Sequence, residues 1–200
     1  TGLEHLEAAM ADGRGAILLT GHFTTLDLGG RFMTLVAPVA AMYRRADNPL
    51  LEEVMRRGRT RAADAVVPKQ DVRGTLRHLK ANRAIWYAPD QSHRRQNSAV
   101  VPFFGVPAAT NTATSKFARL ARAPVVPFYP VRLPGSAGYR LDVLPALEDF
   151  PSDDPQADTA RINALLESRV RLCPEQYLWV HKRFKPPTPG HVDPYAAPPT

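Results

Sequence analysis

The stretch AILLTGHFTTLD, residues 16–27, indicates the fold class. Its first four residues, 16–19, form an apolar run that is too short for a typical helix and suits a buried strand. A polar turn follows, and apolar residues at helical spacing then continue over about 25–36. A buried strand, a turn and a helix in this order are typical of proteins with a parallel sheet.

The same alternation continues through the first two-thirds of the chain. Short apolar runs predict strands at 39–43, 65–67 and 84–88, and helical patterns separate them at 48–61 and 71–80. Strands that alternate with helices favour a parallel sheet, because each connection must cross back over the sheet. We therefore predict an α/β fold with a mainly parallel central sheet and helices on both of its faces.

The length of 200 residues is enough for one domain with a substantial core. Later patterns extend the predicted fold, with helices at 110–121 and 159–172 and strands at 125–131 and 139–144. Prolines become frequent after Lys185. We predict a single domain over residues 1–185 and a loosely attached, proline-rich tail over 186–200.

The chain has a formal net charge of +7, which predicts an acidic partner. Nucleic acid, anionic lipid and acidic protein all meet that requirement, and charge alone does not choose among them. The longest apolar stretch, 32–43, is interrupted by Thr34 and Pro38 and is shorter than the roughly 20 residues that span a bilayer. Because the chain begins at Thr1 rather than at a methionine, a membrane anchor in a preceding segment is compatible with this sequence.

Two polar residues follow predicted strands at positions where open parallel sheets bind ligands. His22 comes after the first strand, and Asp90 comes after the fourth. Ligands in such sheets lie beyond the carboxyl ends of the strands. This edge of the sheet is therefore the candidate site, although Asp90 also suits a simple turn after Pro89.

His22 and Asp27 form the pattern H-x-x-x-x-D. Residues five apart on one helix lie about 140° apart around its axis, so the two side chains can meet only if His22 precedes the helix. An aspartate bonded to the imidazole fixes its tautomer and stabilises the imidazolium that forms when histidine accepts a proton. Such a dyad can deprotonate a hydroxyl without a serine or cysteine nucleophile.

Asp27 has a second interpretation. The segment 24–27 fits a capping box in which the Asp27 carboxylate accepts a hydrogen bond from the Thr24 amide. His22 would then be a loop histidine without a catalytic role. Because short patterns of this kind occur often by chance, these residues alone favour the capping interpretation.

Arg59 is a third candidate, because it follows Gly58 near the end of a predicted helix and could reach the same edge of the sheet. A guanidinium is always charged and suits a phosphate or a developing oxyanion. The histidines lack the spacing of metal ligands, so we predict no metal and no cofactor. The single cysteine, Cys173, is interpreted as a small apolar residue of the core.

Six stretches of the sequence are informative when they are taken together: GHFTTLDL (21–28), YRRADNPL (43–50), RGR (57–59), AIWYAPDQ (84–91), VPFFGVPAAT (101–110) and YLWVHKRFK (177–185). In content and order they resemble the lipid A biosynthesis late acyltransferases, which transfer lauroyl and myristoyl groups to Kdo-lipid A precursors. The resemblance extends from about Gly15 to Lys185. It favours the catalytic interpretation of His22 and Asp27 over the capping interpretation.

The resemblance implies an acyltransferase-like α/β fold and an assignment for each candidate residue. His22 matches the catalytic histidine of that family and Asp27 its acidic partner. Arg59 and Asp90 match charged residues that the family needs for activity, and we assign them to substrate binding. The implied donor is acyl–acyl carrier protein, and the implied acceptor is a hydroxyl of a 3-hydroxyacyl chain on the glycolipid.

The resemblance also implies a location at the cytoplasmic face of the bacterial inner membrane, with a hydrophobic anchor preceding this chain. One alternative is acylation of another glycolipid, such as a phosphatidylinositol mannoside. A second is a hydrolase that uses His22 and Asp27 on water. A basic nucleic-acid-binding module is disfavoured, because the sequence has no recognisable binding motif.

Overall fold

A computed structural model of the protein describes residues 1–61, 63–188 and 190–196. Its strands, in chain order, are β1 (Ala16–Leu19), β2 (Val39–Tyr43), β3 (Ala65–Pro68), β4 (Ala84–Tyr87), β5 (Ser98–Phe103), β6 (Val106–Asn111), β7 (Val125–Arg132) and β8 (Tyr139–Val143). Its α-helices are α1 (Leu3–Met10), α2 (Leu26–Met33), α3 (Pro49–Thr60), α4 (Val72–Lys80), α5 (Ala113–Ala121) and α6 (Pro155–Leu172). A short 3₁₀ helix at Pro174–Gln176 follows α6.

The central sheet has six strands in the order β3-β2-β4-β1-β7-β8. The first five are parallel to one another, and β8 pairs with β7 in the antiparallel direction. The prediction of a mainly parallel α/β sheet is therefore confirmed. β1 lies inside the sheet between β4 and β7, which explains why all four of its residues are buried.

Helices cover both faces of the sheet, as predicted. Ile17 and Leu19 point toward a core shared with α4, α5 and α6, whereas Ala16 and Leu18 point toward a core shared with α1 and α2. Successive strand residues face opposite sides, so a fully buried strand needs the uninterrupted apolar run that the sequence has at this point. A third cluster, around Phe103, joins the hairpin of β5 and β6 to α6 and to the residues that follow it, 173–185, which we call the C-terminal segment.

The hairpin is the main departure from the sequence-based expectation. Residues 110–112 were predicted as the start of a helix, but Thr110 and Asn111 close β6, and α5 begins only at Ala113. The turn between β5 and β6 has positive φ at Phe104 and Gly105. Such a turn reverses the chain within two residues, and β6 pairs with β5 outside the central sheet.

Helix α6 begins four residues earlier than the predicted start at 159. Asp154 accepts hydrogen bonds from the backbone amides of Gln156 and Ala157, and Pro155 occupies the first helical position. These are standard features of a helix start, although the apolar spacing of the sequence becomes regular only later.

Within the described residues, no helix combines the length and the apolar character needed to cross a membrane. Of the predicted tail, positions 189 and 197–200 lie outside the described residues. The division into a domain over 1–185 and a tail over 186–200 stays a prediction.

Candidate active site

His22 lies in the turn that leads from β1 to α2. β1 pairs with β4, with Leu19 opposite Tyr87, so the segments that follow these two strands leave the sheet side by side. His22 and Asp90 follow these two strands and meet at the carboxyl edge, where the sequence predicted a site. Gly21 permits this approach, because a Cβ atom there would lie 2.5 Å from Leu166 and 3.4 Å from the Asp90 carboxylate.

Asp90 is the hydrogen-bond partner of the His22 ring. The Asp90 Oδ1 atom lies 2.5 Å from His22 Nδ1, and Oδ2 accepts the backbone N–H of His22 at 2.8 Å. Asp90 is 3% exposed, whereas the side chain of His22 is 23% exposed. The imidazole therefore lies between a buried carboxylate and a solvent-accessible cleft that follows the carboxyl edge of the sheet. With Asp90 ionised, Nδ1 carries the ring proton and donates a hydrogen bond to Oδ1, which leaves Nε2 as the basic nitrogen.

The two groups shift each other's proton affinity. Burial alone would lower the pKa of His22, but the hydrogen bond and charge of Asp90, together with the charge of Asp27, raise it above its ordinary value. Burial alone would raise the pKa of Asp90, but the contacts with His22 and a hydrogen bond from Tyr177 hold it below its ordinary value. The arrangement thus favours an ionised carboxylate beside a histidine that readily accepts a proton.

The C-terminal segment holds the His22 turn in place. The Thr24 amide donates to the Gln176 carbonyl at 2.7 Å, and the Leu178 amide donates to the His22 carbonyl at 2.9 Å. Phe23 and Tyr177 form an isolated β-bridge, and their rings pack edge to face at 5.5 Å. Both sides of the turn are therefore fixed by residues about 150 positions away in the sequence.

Asp27 makes neither of the contacts predicted for it. It lies in the first turn of α2 and lines the cleft with His22, but among the described residues no hydrogen bond joins its carboxylate to a His22 ring nitrogen, and Nδ1 is bonded to Asp90. The prediction of a capping box is also wrong, because the Thr24 amide donates its hydrogen bond to the Gln176 carbonyl and no side chain caps α2. Asp27 is exposed and acts on His22 only through its charge.

Arg59 lies in the last turn of α3 and lines the same cleft as His22 and Asp27, as predicted. Its guanidinium stacks over the Tyr43 ring at 5.4 Å. Within the described part of the chain, the buried Nη1 atom has no hydrogen-bond partner. A buried guanidinium nitrogen without a protein partner is available to an anionic group of a ligand.

The cleft occupies about 2090 Å³ along the carboxyl edge of the sheet. The cations that line it are Arg44, Arg45, Arg59, Lys69, Arg94, Arg95, Lys116 and Lys185, against two carboxylates, Asp27 and Asp47. Burial, followed by the charges of Arg44 and Arg95, lowers the pKa of Lys69. Cations that line the same cleft create a positive potential there, which attracts anionic groups.

Sequence reasoning missed Tyr177 as part of the site. Its hydroxyl donates a hydrogen bond to Asp90 Oδ2 at 2.8 Å, across 87 positions of sequence. A pattern of local spacing cannot reveal a contact of that range. The only signal was the stretch 177–185, which contributed to the family resemblance without a role for this tyrosine.

Comparisons with known proteins agree with the resemblance. A family model described as bacterial lipid A biosynthesis acyltransferase matches residues 1–186. The lipid A biosynthesis palmitoleoyltransferase of Escherichia coli (strain K12) is 40% identical over 185 residues, and the lauroyltransferase of the same organism is 39% identical over 185 residues. Its myristoyltransferase is 28% identical over 196 residues.

These alignments cover 92% of this chain for the first two relatives and 97% for the third. They cover 60%, 60% and 61% of the relatives themselves. The chain therefore spans about three fifths of the length of the curated relatives it matches.

Proposed function

Because this chain belongs to the bacterial lipid A biosynthesis acyltransferase family, we propose that the protein transfers a fatty acyl group to a hydroxyl of a lipid A precursor. The donor in this proposal is acyl–acyl carrier protein, and the acceptor is a Kdo-lipid A precursor. The reaction takes place at the cytoplasmic face of the bacterial inner membrane. The names of the three relatives support an acyl group as the transferred unit.

The observation that carries the proposal is the contact between His22 Nδ1 and Asp90 Oδ1 at 2.5 Å. A buried carboxylate that fixes one ring nitrogen leaves the other as a general base at the edge of an open cleft. This arrangement suits removal of a proton from a hydroxyl. In the proposed mechanism Asp90, rather than Asp27, orients the imidazole.

The transfer proceeds directly between the two substrates. His22 Nε2 accepts the proton of the acceptor hydroxyl while that oxygen attacks the thioester carbonyl carbon. The tetrahedral intermediate collapses, the C–S bond breaks, and the imidazolium returns its proton to the departing thiolate. The products are an ester and a free thiol, and Asp90 stays ionised throughout. General base catalysis of this kind contributes about 10²–10⁴-fold.

Asp27 and Arg59 support the reaction from the cleft. The Asp27 charge favours the imidazolium that forms during proton transfer. The Arg59 guanidinium is placed in the same cleft and can donate to the oxyanion or to a phosphate of a substrate. Both assignments are part of the proposal.

The basic lining of the cleft supports anionic substrates. Acyl carrier protein is acidic, and a Kdo-lipid A precursor carries phosphate and carboxylate groups. Eight cationic side chains against two carboxylates line the space next to His22. Such a surplus of positive charge concentrates both substrates and favours the anionic surface of the membrane.

The pH dependence of transfer should reflect the raised pKa of His22. The base must be neutral before it accepts a proton, so activity rises as the pH passes through that pKa. Since Asp90 and Asp27 raise it, we expect the midpoint of the acid limb of kcat/KM to lie above the ordinary pKa of histidine. A pH profile of the full-length enzyme measures this, and a midpoint below the ordinary value would contradict it.

Cys173→Ala should leave the transfer rate close to that of the wild type. The thiol is buried, and burial raises its pKa, which makes it a poor nucleophile. Loss of its packing in the third core cluster should lower the free energy of unfolding by about 1 kcal/mol. Steady-state kinetics and urea denaturation measure the two effects. A large loss of activity in a folded variant would indicate an acyl-cysteine intermediate.

A transfer assay with the full-length protein tests the reaction itself. Loss of thioester from acyl–acyl carrier protein is followed with and without the Kdo-lipid A precursor, and the lipid product is identified by mass spectrometry. We expect thioester loss to depend on the glycolipid and to match the amount of new ester. Thioester loss at the same rate without glycolipid would instead identify a hydrolase.

A further inference from the structure

Tyr177 is a buried tyrosine whose hydroxyl contacts the carboxylate that holds His22. It is 5% exposed and donates to Asp90 Oδ2 at 2.8 Å. We propose that Tyr177 is a positioning residue that sets both the orientation of Asp90 and, through Asp90, the proton affinity of His22. The inference rests on the proposed general-base role of His22.

The orientation of Asp90 depends on two donors that share one oxygen. Oδ2 accepts both the Tyr177 hydroxyl and the backbone N–H of His22, each at 2.8 Å. With Oδ2 fixed in this way, the carboxylate plane is set and Oδ1 faces the His22 ring. Without the hydroxyl, a single backbone donor restrains Oδ2, and the carboxylate is held less rigidly while Oδ1 keeps its hydrogen bond to the imidazole.

The hydroxyl also draws negative charge toward Oδ2. Its hydrogen bond helps to keep the pKa of Asp90 below the ordinary value. A carboxylate whose charge is partly taken up by one donor attracts a second donor less strongly, so Tyr177 weakens the pull of Asp90 on the imidazolium. Removal of the hydroxyl should therefore raise the pKa of His22 further and leave less neutral base at a given pH.

Tyr177 can serve as a donor at every pH at which the enzyme would work. Burial, followed by the charge of Asp90 and the hydrogen bond to it, raises the pKa of Tyr177 far above its ordinary range. The phenol thus stays protonated and cannot act as a second base. Its function in this site is confined to donating one hydrogen bond.

The ring of Tyr177 is held independently of its hydroxyl. It packs edge to face against Phe23 at 5.5 Å and against Trp179 at 4.9 Å, and its backbone forms the bridge to Phe23. A phenylalanine keeps all of these contacts. Tyr177→Phe therefore removes one donor from Asp90 and leaves the fold in place.

The other titratable or charged groups around the pair come from several elements: Asp27 of α2, Tyr87 of β4, Tyr129 of β7, and His181 and Arg183 of the C-terminal segment. All of them are unchanged by the substitution. A difference between wild type and Tyr177→Phe in the titration of His22 therefore reports the loss of the hydroxyl.

The test compares full-length wild type with Tyr177→Phe in the transfer assay over a range of pH. We expect the acid limb of kcat/KM to move to higher pH. The plateau value of kcat should fall about tenfold, the size expected for one hydrogen bond to a charged group, with little change in KM. The pKa of His22 is measured separately by NMR on protein with labelled histidine and should rise in the variant.

Tyr129→Phe is the matched control. Tyr129 is equally buried, and its ring packs against Phe23 at 5.9 Å, but among the described residues its hydroxyl makes no hydrogen bond to Asp90. We expect its acid limb and His22 titration to match those of the wild type. If Tyr177→Phe also leaves both unchanged, or lowers only the plateau, the inference is overturned. The NMR titration decides this even if the wild type proves not to transfer acyl groups, which would overturn the proposed function instead.

Discussion

Replacing His22 by alanine should reduce acyl transfer by about 10²–10⁴-fold, the contribution of a general base. The imidazole is the only group that the proposed mechanism uses to accept the hydroxyl proton. The buried partner Asp90 is bonded to the ring and cannot replace it. The measurement is transfer from acyl–acyl carrier protein to a Kdo-lipid A precursor by the full-length enzyme.

The loss must be separated from unfolding, because His22→Ala leaves Asp90 Oδ1 without its ring partner. An unsatisfied buried acceptor costs about 1–3 kcal/mol of stability, which circular dichroism and urea denaturation detect. His78→Ala is a matched control, since His78 lies on α4 and is not part of the cleft lining. We expect that control to keep its activity. Near-native turnover of a folded His22→Ala enzyme would refute the mechanism.

Much of the fold could be predicted from local pattern. β1 and β4 are buried on both faces, so their apolar runs are uninterrupted, and the helices between strands have a clear apolar spacing. The hairpin of β5 and β6 was harder to predict from the sequence, because the pairing of its strands depends on a turn at Phe104 and Gly105 and on contacts with α6. Neither feature changes the local spacing of apolar residues.

The meeting of His22 and Asp90 could be predicted in outline, since neighbouring parallel strands end at the same edge. The choice of hydrogen-bond partner could not. Segment 176–178, far away in the sequence, holds the His22 turn so that the ring faces Asp90. The pattern H-x-x-x-x-D contains no information about that segment. The family resemblance named the candidate residues, and the long-range contacts show which of them is bonded to the His22 ring.

Replacing Asp90 by asparagine should be nearly as damaging as the loss of His22, with a fall in transfer of about 10²–10⁴-fold. An amide keeps the size of the side chain but cannot stabilise the imidazolium, and it allows the wrong tautomer of His22. Loss of the carboxylate should also lower the pKa of His22, because Asp90 is the main group that raises it. Kinetics and the NMR titration of His22 measure the two effects, and denaturation verifies that the variant is folded.

Asp27→Asn is the decisive comparison for that prediction. Asp27 is exposed and influences His22 by charge alone, and solvent and salt weaken such an influence. We therefore expect Asp27→Asn to move the acid limb slightly to lower pH and to reduce the plateau rate much less than Asp90→Asn does. The pairing of His22 with Asp27, which the sequence pattern predicted, requires instead that Asp27→Asn lose more activity than Asp90→Asn. If folded Asp27→Asn loses more activity than Asp90→Asn, Asp27 rather than Asp90 would be the partner of His22 in the reacting complex.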